Sequence, residues 1–324
     1  MRLLVTGGAG FIGSAFIRYF LKQHPSDSVL NLDKLTYAGN LKNLAETQNN
    51  PRYEFVRGDI ADEALVGRLM GKVDVVVNFA AETHVDRSIH DPSAFIRTNY
   101  VGVHNLLEKA RERKLSRFLQ ISTDEVYGST MTGSFHEESP LRPNSPYSAS
   151  KAAADLLVRS YYVTYGLPVL LVRSSNNYGP YQFPEKLIPL FVTNLIEGKK
   201  VPLYAKGENV RDWIFVEDNC RAIDRVLEKG REGEIYNIAG GQEKTNLELT
   251  HTILRIFGKG DDFINYVADR PGHDFRYSID SSRIRELGFA AQYTFEEGLS
   301  RTVEWYRANQ AWWQPLKQDQ FTRK

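Results

Sequence analysis

The sequence has a single cysteine, Cys220, among its 324 residues. That excludes an internal disulfide and any cysteine-rich zinc site, and no metal is expected. It has no excess of either charge: 41 lysines and arginines stand against 40 aspartates and glutamates, a formal net charge of +1. Such a balance gives nucleic acid or an anionic membrane no global attraction, so any anion has to be recognised locally. Long apolar runs are also missing, none approaching the ~20 residues that cross a bilayer. The chain opens on a short apolar run, Leu3-Leu4-Val5, that meets a glycine turn; a basic start and a small-residue cleavage site are lacking. The expectation is a cytoplasmic protein with no nucleic acid and no membrane as partner. Its composition, 42% hydrophobic and 25% charged, is that of a soluble globular chain. The length suits one large domain plus a smaller one, or two coupled halves.

What is present starts with nucleotide chemistry. Residues 2–6 read as a buried strand, and Gly7, Gly10 and Gly13 then open a helix that carries Phe11, Ile12, Phe16, Ile17 and Phe20. Glycines there permit a tight turn and close backbone approach to a pyrophosphate, with the helix N-terminus supplying N–H donors. A second apolar strand, Val29 to Leu32, ends at Asp33, twenty residues past Gly13. A carboxylate at that distance binds ribose hydroxyls and disfavours a 2′-phosphate, pointing to NAD over NADP, although Lys34 beside it weakens the inference. A strand at 53–57 leads to Asp59, which fits either an adenine contact or a helix cap near Asp62. Val73 to Phe79 is an apolar strand ended by Ala80-Ala81-Glu82-Thr83-His84, with His84 read as a polar loop residue or a ligand. A long helix is predicted over 92–114 and a strand over Phe118 to Ile121. This β/α alternation implies an α/β fold with a doubly wound parallel sheet, a Rossmann architecture.

The strand at 118–121 delivers Ser122-Thr123-Asp124-Glu125, and a loop from Gly128 to Pro146 precedes Tyr147-Ser148-Ala149-Ser150-Lys151. Tyr147 and Lys151 are four apart and share a helix face. An ammonium beside a phenol is expected to lower the phenol's pKa and suit it to act as a base. This helix and the one at 92–114 offer a flat face for a homodimer, or simply pack on the sheet.

The second half alternates shorter elements, as a smaller substrate lobe would. A strand at Val169 to Val172 leads to Asn176 and Asn177, which suit phosphate or sugar oxygens or else a turn. After a helix near 187–197, Leu203 and Tyr204 could bound a nucleobase pocket, and Arg211 fits a diphosphate clamp or a solvated surface position. Asn246 is read as a helix cap. Asp269 to Asp274 is a charged turn, and the final helix is predicted near 296–308. The domain expectation is 1–174 mainly NAD-binding and 175–324 mainly sugar-nucleotide-binding, with the chain crossing between them.

Taken together, Gly7 to Gly13, Asp33 to Asn40, Ala80 to Ser88, Ser122 to Gly128, Tyr147 to Lys151, Ser175 to Pro189, Arg211-Asp212-Trp213 and Asp269 to Asp274 resemble the extended short-chain dehydrogenase/reductases. More narrowly, they are similar to the dTDP-glucose 4,6-dehydratase family. The glycine motif and Tyr-x-x-x-Lys are widely shared; the pair Asp124-Glu125 after Thr123 is the discriminating element. The resemblance implies a lyase that borrows and returns a hydride through tightly bound NAD. Tyr147, helped by Lys151 and Thr123, would take the proton of the sugar's 4-hydroxyl. Glu125 would abstract the hydrogen on carbon 5, and Asp124 would protonate the departing 6-hydroxyl.

The NAD site so implied runs through Gly7, Gly10, Phe11, Ile12 and Gly13, then Asp33, Lys34, Leu35 and Thr36. It continues at Asp59, Ile60, Ala80, Ala81, Thr83 and Asn99 and reaches Tyr147 and Lys151. The substrate site implied takes Thr83, Thr123, Asn176, Asn177, Lys186 and Leu187 from around the cavity. Pro202, Leu203, Tyr204, Arg211, Asn246, Arg270 and His273 would complete it. Two departures stand out: the segment between Tyr127 and Pro146 is shorter than in some relatives, and Arg173-Ser174 replaces the Asn-Cys of some of them. Dehydration or 4-epimerisation of another nucleotide sugar such as UDP-glucose is the alternative reaction. A non-catalytic NAD-binding scaffold is a more distant one.

Overall fold

The computed structural model describes residues 1–269 and 272–322, with side chains described up to residue 318. The first half supplies strands β1 (Arg2–Thr6), β2 (Ser28–Asp33), β3 (Tyr53–Arg57), β4 (Val75–Asn78), β5 (Arg117–Thr123) and β6 (Val169–Ser174). They lie in the order 3-2-1-4-5-6, every neighbouring pair parallel. Parallel strands covered on both faces need continuous apolar runs rather than alternation. The sequence Val75-Val76-Val77-Asn78 of β4, buried throughout, meets that demand.

The helices of this half are α1 (Phe11–Gln23), α2 (Glu63–Met70), α3 (Val85–His90), α4 (Ser93–Ile96), α5 (Val103–Glu112) and α6 (Pro146–Tyr165). The side chains of Phe16, Ile17 and Phe20 on α1 are fully buried against one sheet face. Burying each such side chain is worth about 1.5–3 kcal/mol. The other face is covered by Val66 of α2, Leu106 of α5 and Val158 of α6.

The helix predicted over 92–114 is broken. Between α4 and α5 the backbone widens into a π turn, Arg97–Gly102. Wide turns of this kind occur often at functional sites, and this one carries Asn99 into the interior. The helix with Tyr147 starts where the sequence indicated. Ser145 caps it through Ser148, with Pro146 in the first turn and Gly166, at φ 66°, ending it.

The second half contains β7 (Asn176–Tyr178), β8 (Val201–Tyr204), β9 (Val210–Phe215), β10 (Ile235–Ile238), β11 (Glu243–Thr245) and β12 (Ile264–Val267). Its helices are α7 (Leu187–Ile196), α8 (Val216–Lys229), α9 (Asn246–Ile256), α10 (Ser282–Glu286), α11 (Phe295–Ala308) and α12 (Gln310–Thr322). Strands 7, 9 and 11 form a small sheet, and 8 and 12 a pair. Around them Tyr178, Phe191, Phe295, Tyr306 and Trp313 build a separate core. β10 and α8 leave this lobe: β10 pairs with β6 as the seventh strand of the large sheet, and α8 packs against α1.

Two boundaries differ from expectation. Asn246 is the first residue of α9 rather than its cap. Thr245 takes that place because its hydroxyl and Glu248 form a reciprocal capping box. The helix at 295–308 is also not the last, since α12 follows and Trp312 Nε1 donates to Asn43 Oδ1 at 3.0 Å, tying the chain's end to its first half. Among the described residues no helix is long and apolar enough to cross a membrane.

Candidate active site

A cavity of about 320 Å³ lies at the carboxyl ends of the large sheet's strands. That is where a doubly wound sheet opens, because β2 and β4 leave β1 in opposite directions. Gly7, Gly10, Phe11, Ile12 and Gly13 form its floor. The turn admits no larger residue at Gly7. There φ is +68°, and an added Cβ would lie 2.6 Å from the Ala80 nitrogen. At Gly13 a Cβ would run into the Gly7 carbonyl oxygen. The backbone is therefore bare where an extended phosphate group would have to approach it.

Asp33, Lys34 and Thr36 border one end of the cavity, with Asp59 and Ile60 beside them. Asp33 is fixed by two backbone donors, Ala9 N and Leu35 N, each at 2.8 Å. Burial raises its pKa, and those two bonds oppose the rise. Lys34 is neutralised by Asp59, 2.9 Å away, so its charge does not offset the carboxylate that disfavours a 2′-phosphate. Burial disfavours ionised Asp59, but the Ala61 N–H, Lys34 and Arg97 outweigh it and hold the carboxyl below its ordinary range. The helix cap nearby is Asp62, whose side chain accepts from Leu65 N.

Two of the expected cofactor residues stand behind the wall. Leu35, at φ +57°, contributes its N–H to Asp33. Asn99 is buried, accepts from Glu82 N and donates to Glu82 O and Ser150 Oγ, so it positions the Ala80–Glu82 stretch instead of facing the cavity. Ala80, Ala81 and Thr83 do line the cavity. His84 is the cap of α3, with its ring 3.6 Å from Glu185.

At the other end β5 brings Thr123, Asp124 and Glu125 to the wall, next to Tyr147 and Lys151 of α6. Thr123 Oγ1 donates to Asp124 Oδ1 and accepts from Glu125 N, both at 3.2 Å. It also hydrogen-bonds the Tyr147 phenol. Asp124 Oδ2 is buried with no hydrogen-bond partner among the described residues. Burial, with Glu125 adding repulsion, pushes the Asp124 carboxyl up to about 8. It is thus held protonated at neutral pH.

The pKa of Tyr147 departs from the sequence expectation. Burial drives the phenol well above its ordinary value, Glu125 pushes the same way, and the Thr123 bond opposes them. Lys151 shares the cavity wall as four-residue spacing requires, but its Nζ donates to Ile121 O at 2.7 Å. Burial lowers its own pKa to about 8, with Asp155 resisting. Behind it the unusual Arg173 turns inward. Its Nε donates to Asp155 Oδ2 at 2.9 Å and its Nη1 to the Tyr127 hydroxyl at 2.7 Å, bracing β6 against α6.

The expected substrate residues divide in two. Thr83, Thr123, Asn176, Asn177 and Lys186 line the cavity; Oδ1 of Asn176 and of Asn177 is buried without a partner among the described residues. Of the others, those described belong to the second lobe and do not line the cavity. Leu187 and Leu203 pack with that lobe's core, Leu203 only 1% exposed, and Pro202 is half-buried on β8. Tyr204 and His273 meet edge to face at 6.0 Å. Arg211 is buried, not solvated; it does not line the cavity, although its charge reaches Asp124 on the wall. Its guanidinium donates to the carbonyls of Val210, Asp274 and Phe275 and lies 4.1 Å over the Tyr277 ring. Asn246 keeps a buried Oδ1 without a partner among the described residues, and Arg270 lies outside them.

Sequence reasoning passed over Tyr37, Glu82, Gln182, Phe183 and Glu185, all on the cavity wall. Their signal was position: each lies inside or beside a stretch already singled out.

The sequence profile described as GDP-mannose 4,6 dehydratase matches residues 4–302. A dTDP-glucose 4,6-dehydratase of Streptomyces niveus is 56% identical over 322 residues, covering 98% of this chain and 96% of that one. The crystal structure of a Streptomyces venezuelae dTDP-glucose 4,6-dehydratase with NAD bound superposes with a TM-score of 0.96 at 55% identity, over 98% of this chain and 100% of that one. By contrast, a Thermus thermophilus UDP-glucose 4-epimerase in complex with NAD reaches 31% identity and a TM-score of 0.88, over 95% and 100% of the two chains. A parallel sheet in this order, a glycine cradle and Asp-Glu beside Tyr-Lys on one cavity wall agree with those relationships, and the chain belongs to the nucleotide-sugar 4,6-dehydratase family, with the dTDP-glucose 4,6-dehydratases.

Proposed function

We propose that this chain converts dTDP-glucose to its 4-keto-6-deoxy derivative and water, using tightly bound NAD, in deoxysugar biosynthesis. The observation that carries the reading is the pairing of a carboxyl held protonated, Asp124, with an adjacent carboxyl on the same cavity wall as Tyr147. An elimination needs an acid for the leaving hydroxyl and a base for the neighbouring C–H, and two adjacent carboxyls in different environments can divide that work. Epimerisation has no leaving group to protonate.

The bare turn at Gly7 and Gly13 and the fixed Asp33 carboxylate fit a dinucleotide. When bound, NAD supplies the acceptor for the hydride from carbon 4 and the donor of the hydride to carbon 6. Tyr147 and Thr123 hold the 4-hydroxyl, and Tyr147 takes its proton. A neutral Asp124 removes one of the negative charges that oppose a phenolate at Tyr147. Lys151, anchored on Ile121 O, keeps a positive charge at the same wall at neutral pH. Glu125 then takes the hydrogen of carbon 5, acidified by the ketone, and Asp124 gives its proton to the departing 6-hydroxyl. Thr83, Asn176, Asn177 and Lys186 supply polar groups for the nucleotide sugar. Residues 1–174 form most of the cofactor domain and 175–324 most of the substrate lobe.

Deuterium placed at carbon 4 of dTDP-glucose should appear at carbon 6 of a product lighter by one water. An isomer of unchanged mass would sink the reading in favour of epimerisation, and product from UDP-glucose alone would change the nucleotide.

We further propose a homodimer in the cytoplasm. Ala149, Leu156 and Val163, spaced by sevens along α6, are all exposed, beside exposed Ile96 and Tyr100 of the adjoining helix. An apolar stripe on paired helices suits a second copy of the chain.

A further inference from the structure

Three segments meet over the dinucleotide groove, and the proposed chemistry uses none of the side chains that join them. Tyr37 comes from the loop after β2, Arg87 from α3 after β4, and Glu185 from the segment before α7. In the sheet β2 and β4 flank β1, so Tyr37 and Arg87 reach across the glycine turn from its two sides. The Arg87 guanidinium lies 3.7 Å from the centre of the Tyr37 ring. Its Nη2 is 3.3 Å from Glu185 Oε2, and the Tyr37 phenol hydrogen-bonds the same carboxylate. Phe183 closes edge-on against Tyr37 at 5.4 Å. Tyr37 and Glu185 line the cavity while Arg87 does not, so the guanidinium covers the pair from outside.

We infer that Tyr37, Arg87 and Glu185 form a clasp that retains NAD in the groove through the catalytic cycle. The inference rests on NAD being the cofactor. In an internal oxidation and reduction the hydride taken from one sugar has to go back to that same sugar, so reduced cofactor lost midway strands a keto sugar. A fold that opens its groove at the strand ends needs something over the opening. An exposed ion pair would hold little; here the Arg87 side chain is 45% exposed, but Glu185 is only 9% exposed and the guanidinium is stacked on a ring as well as paired. The clasp joins both lobes: Lys186, next to Glu185, donates to Thr83 O at 3.3 Å, and Thr83 belongs to the β4 side. These are positioning residues, acting on the cofactor's residence and not on the reacting carbons.

The test is the rate at which NAD leaves the purified holoenzyme, followed by exchange into excess labelled NAD, for Tyr37→Phe, Glu185→Gln and the double variant. Each single change removes a charge-assisted contact, worth about tenfold in release rate. The expected result is about tenfold faster exchange in each single variant, with the melting temperature of the holoenzyme lowered by no more than roughly 2 °C. The double variant should be no faster than the quicker single, because the contacts act as one unit. Parent-rate exchange from folded Tyr37→Phe protein overturns the inference, as do fully additive effects. Should Glu185→Gln fail to fold, Tyr37→Phe decides alone, since it removes one oxygen and keeps the ring under Arg87. Faster exchange without turnover of any nucleotide sugar would leave the clasp standing and remove the dehydratase reading. Turnover with unaltered exchange would do the reverse.

Discussion

Replacing Asp124 by asparagine should make the protein more stable and nearly inactive, and the stability gain should grow with pH. A carboxyl whose pKa is 3.8 when unfolded and about 8 when folded is protonated in the folded chain across a range where the unfolded chain has released the proton. Its contribution is fully present below the unfolded value and is lost as pH rises toward the folded one. The loss amounts to about 4 kcal/mol at pH 7, and it grows by roughly 2 kcal/mol between pH 6 and pH 8. An asparagine carries no such penalty. Its amide would face the place where Asp124 Oδ2 already lacks a partner, and that costs about 1–3 kcal/mol at every pH. The difference between variant and parent across pH is therefore the cleaner quantity. With ~2.1 cal/mol/K of unfolding entropy per residue, 2 kcal/mol moves the melting temperature of a chain this long by roughly 3 °C. Scanning calorimetry of the two NAD-loaded proteins at pH 6, 7 and 8, at one scan rate, measures it. A difference that stays flat from pH 6 to pH 8 would refute the claim that Asp124 is buried as a neutral acid.

Three further outcomes follow from the same geometry. Tyr147→Phe removes the phenol on the catalytic wall that hydrogen-bonds Thr123, and turnover of dTDP-glucose should fall ~10²–10⁴-fold, read by product formation with NAD loading held equal. Gly7→Ala forces a Cβ to 2.6 Å from Ala80 N in a left-handed conformation, so the purified protein should carry little NAD, measured by absorbance after denaturation. Leu156→Glu places a charge in the middle of the exposed apolar stripe on α6 and should shift the mass in solution from dimer to monomer, seen by light scattering.

The order of the elements was legible because the central strands of the large sheet, such as β1 and β4, announce themselves as apolar runs closed by glycine or a polar turn. Tyr147 and Lys151 were legible because helical spacing alone puts them on one wall. The π turn at Arg97–Gly102 was not, since the apolar positions on either side keep helical spacing through it. Nor was the direction of the Tyr147 shift: a four-residue interval tells nothing of the Glu125 charge or of the dryness of the cavity. Arg211 shows the same limit from another side. Its type suits a phosphate, but only the fold reveals three carbonyls within its reach. The clasp residues were hidden because Tyr37, Arg87 and Glu185 are far apart in the chain and none belongs to a catalytic motif.

The return of β10 to the large sheet has a consequence for how the molecule is made. While the ribosome is still producing residues 175–234, β6 has an open backbone edge, and an open edge invites pairing with another nascent or misfolded chain. Cutting the polypeptide after residue 174 would leave that edge bare for good. A fragment holding every cofactor motif is thus expected to aggregate, and splitting the protein into independently expressed halves would require both to be present while folding proceeds.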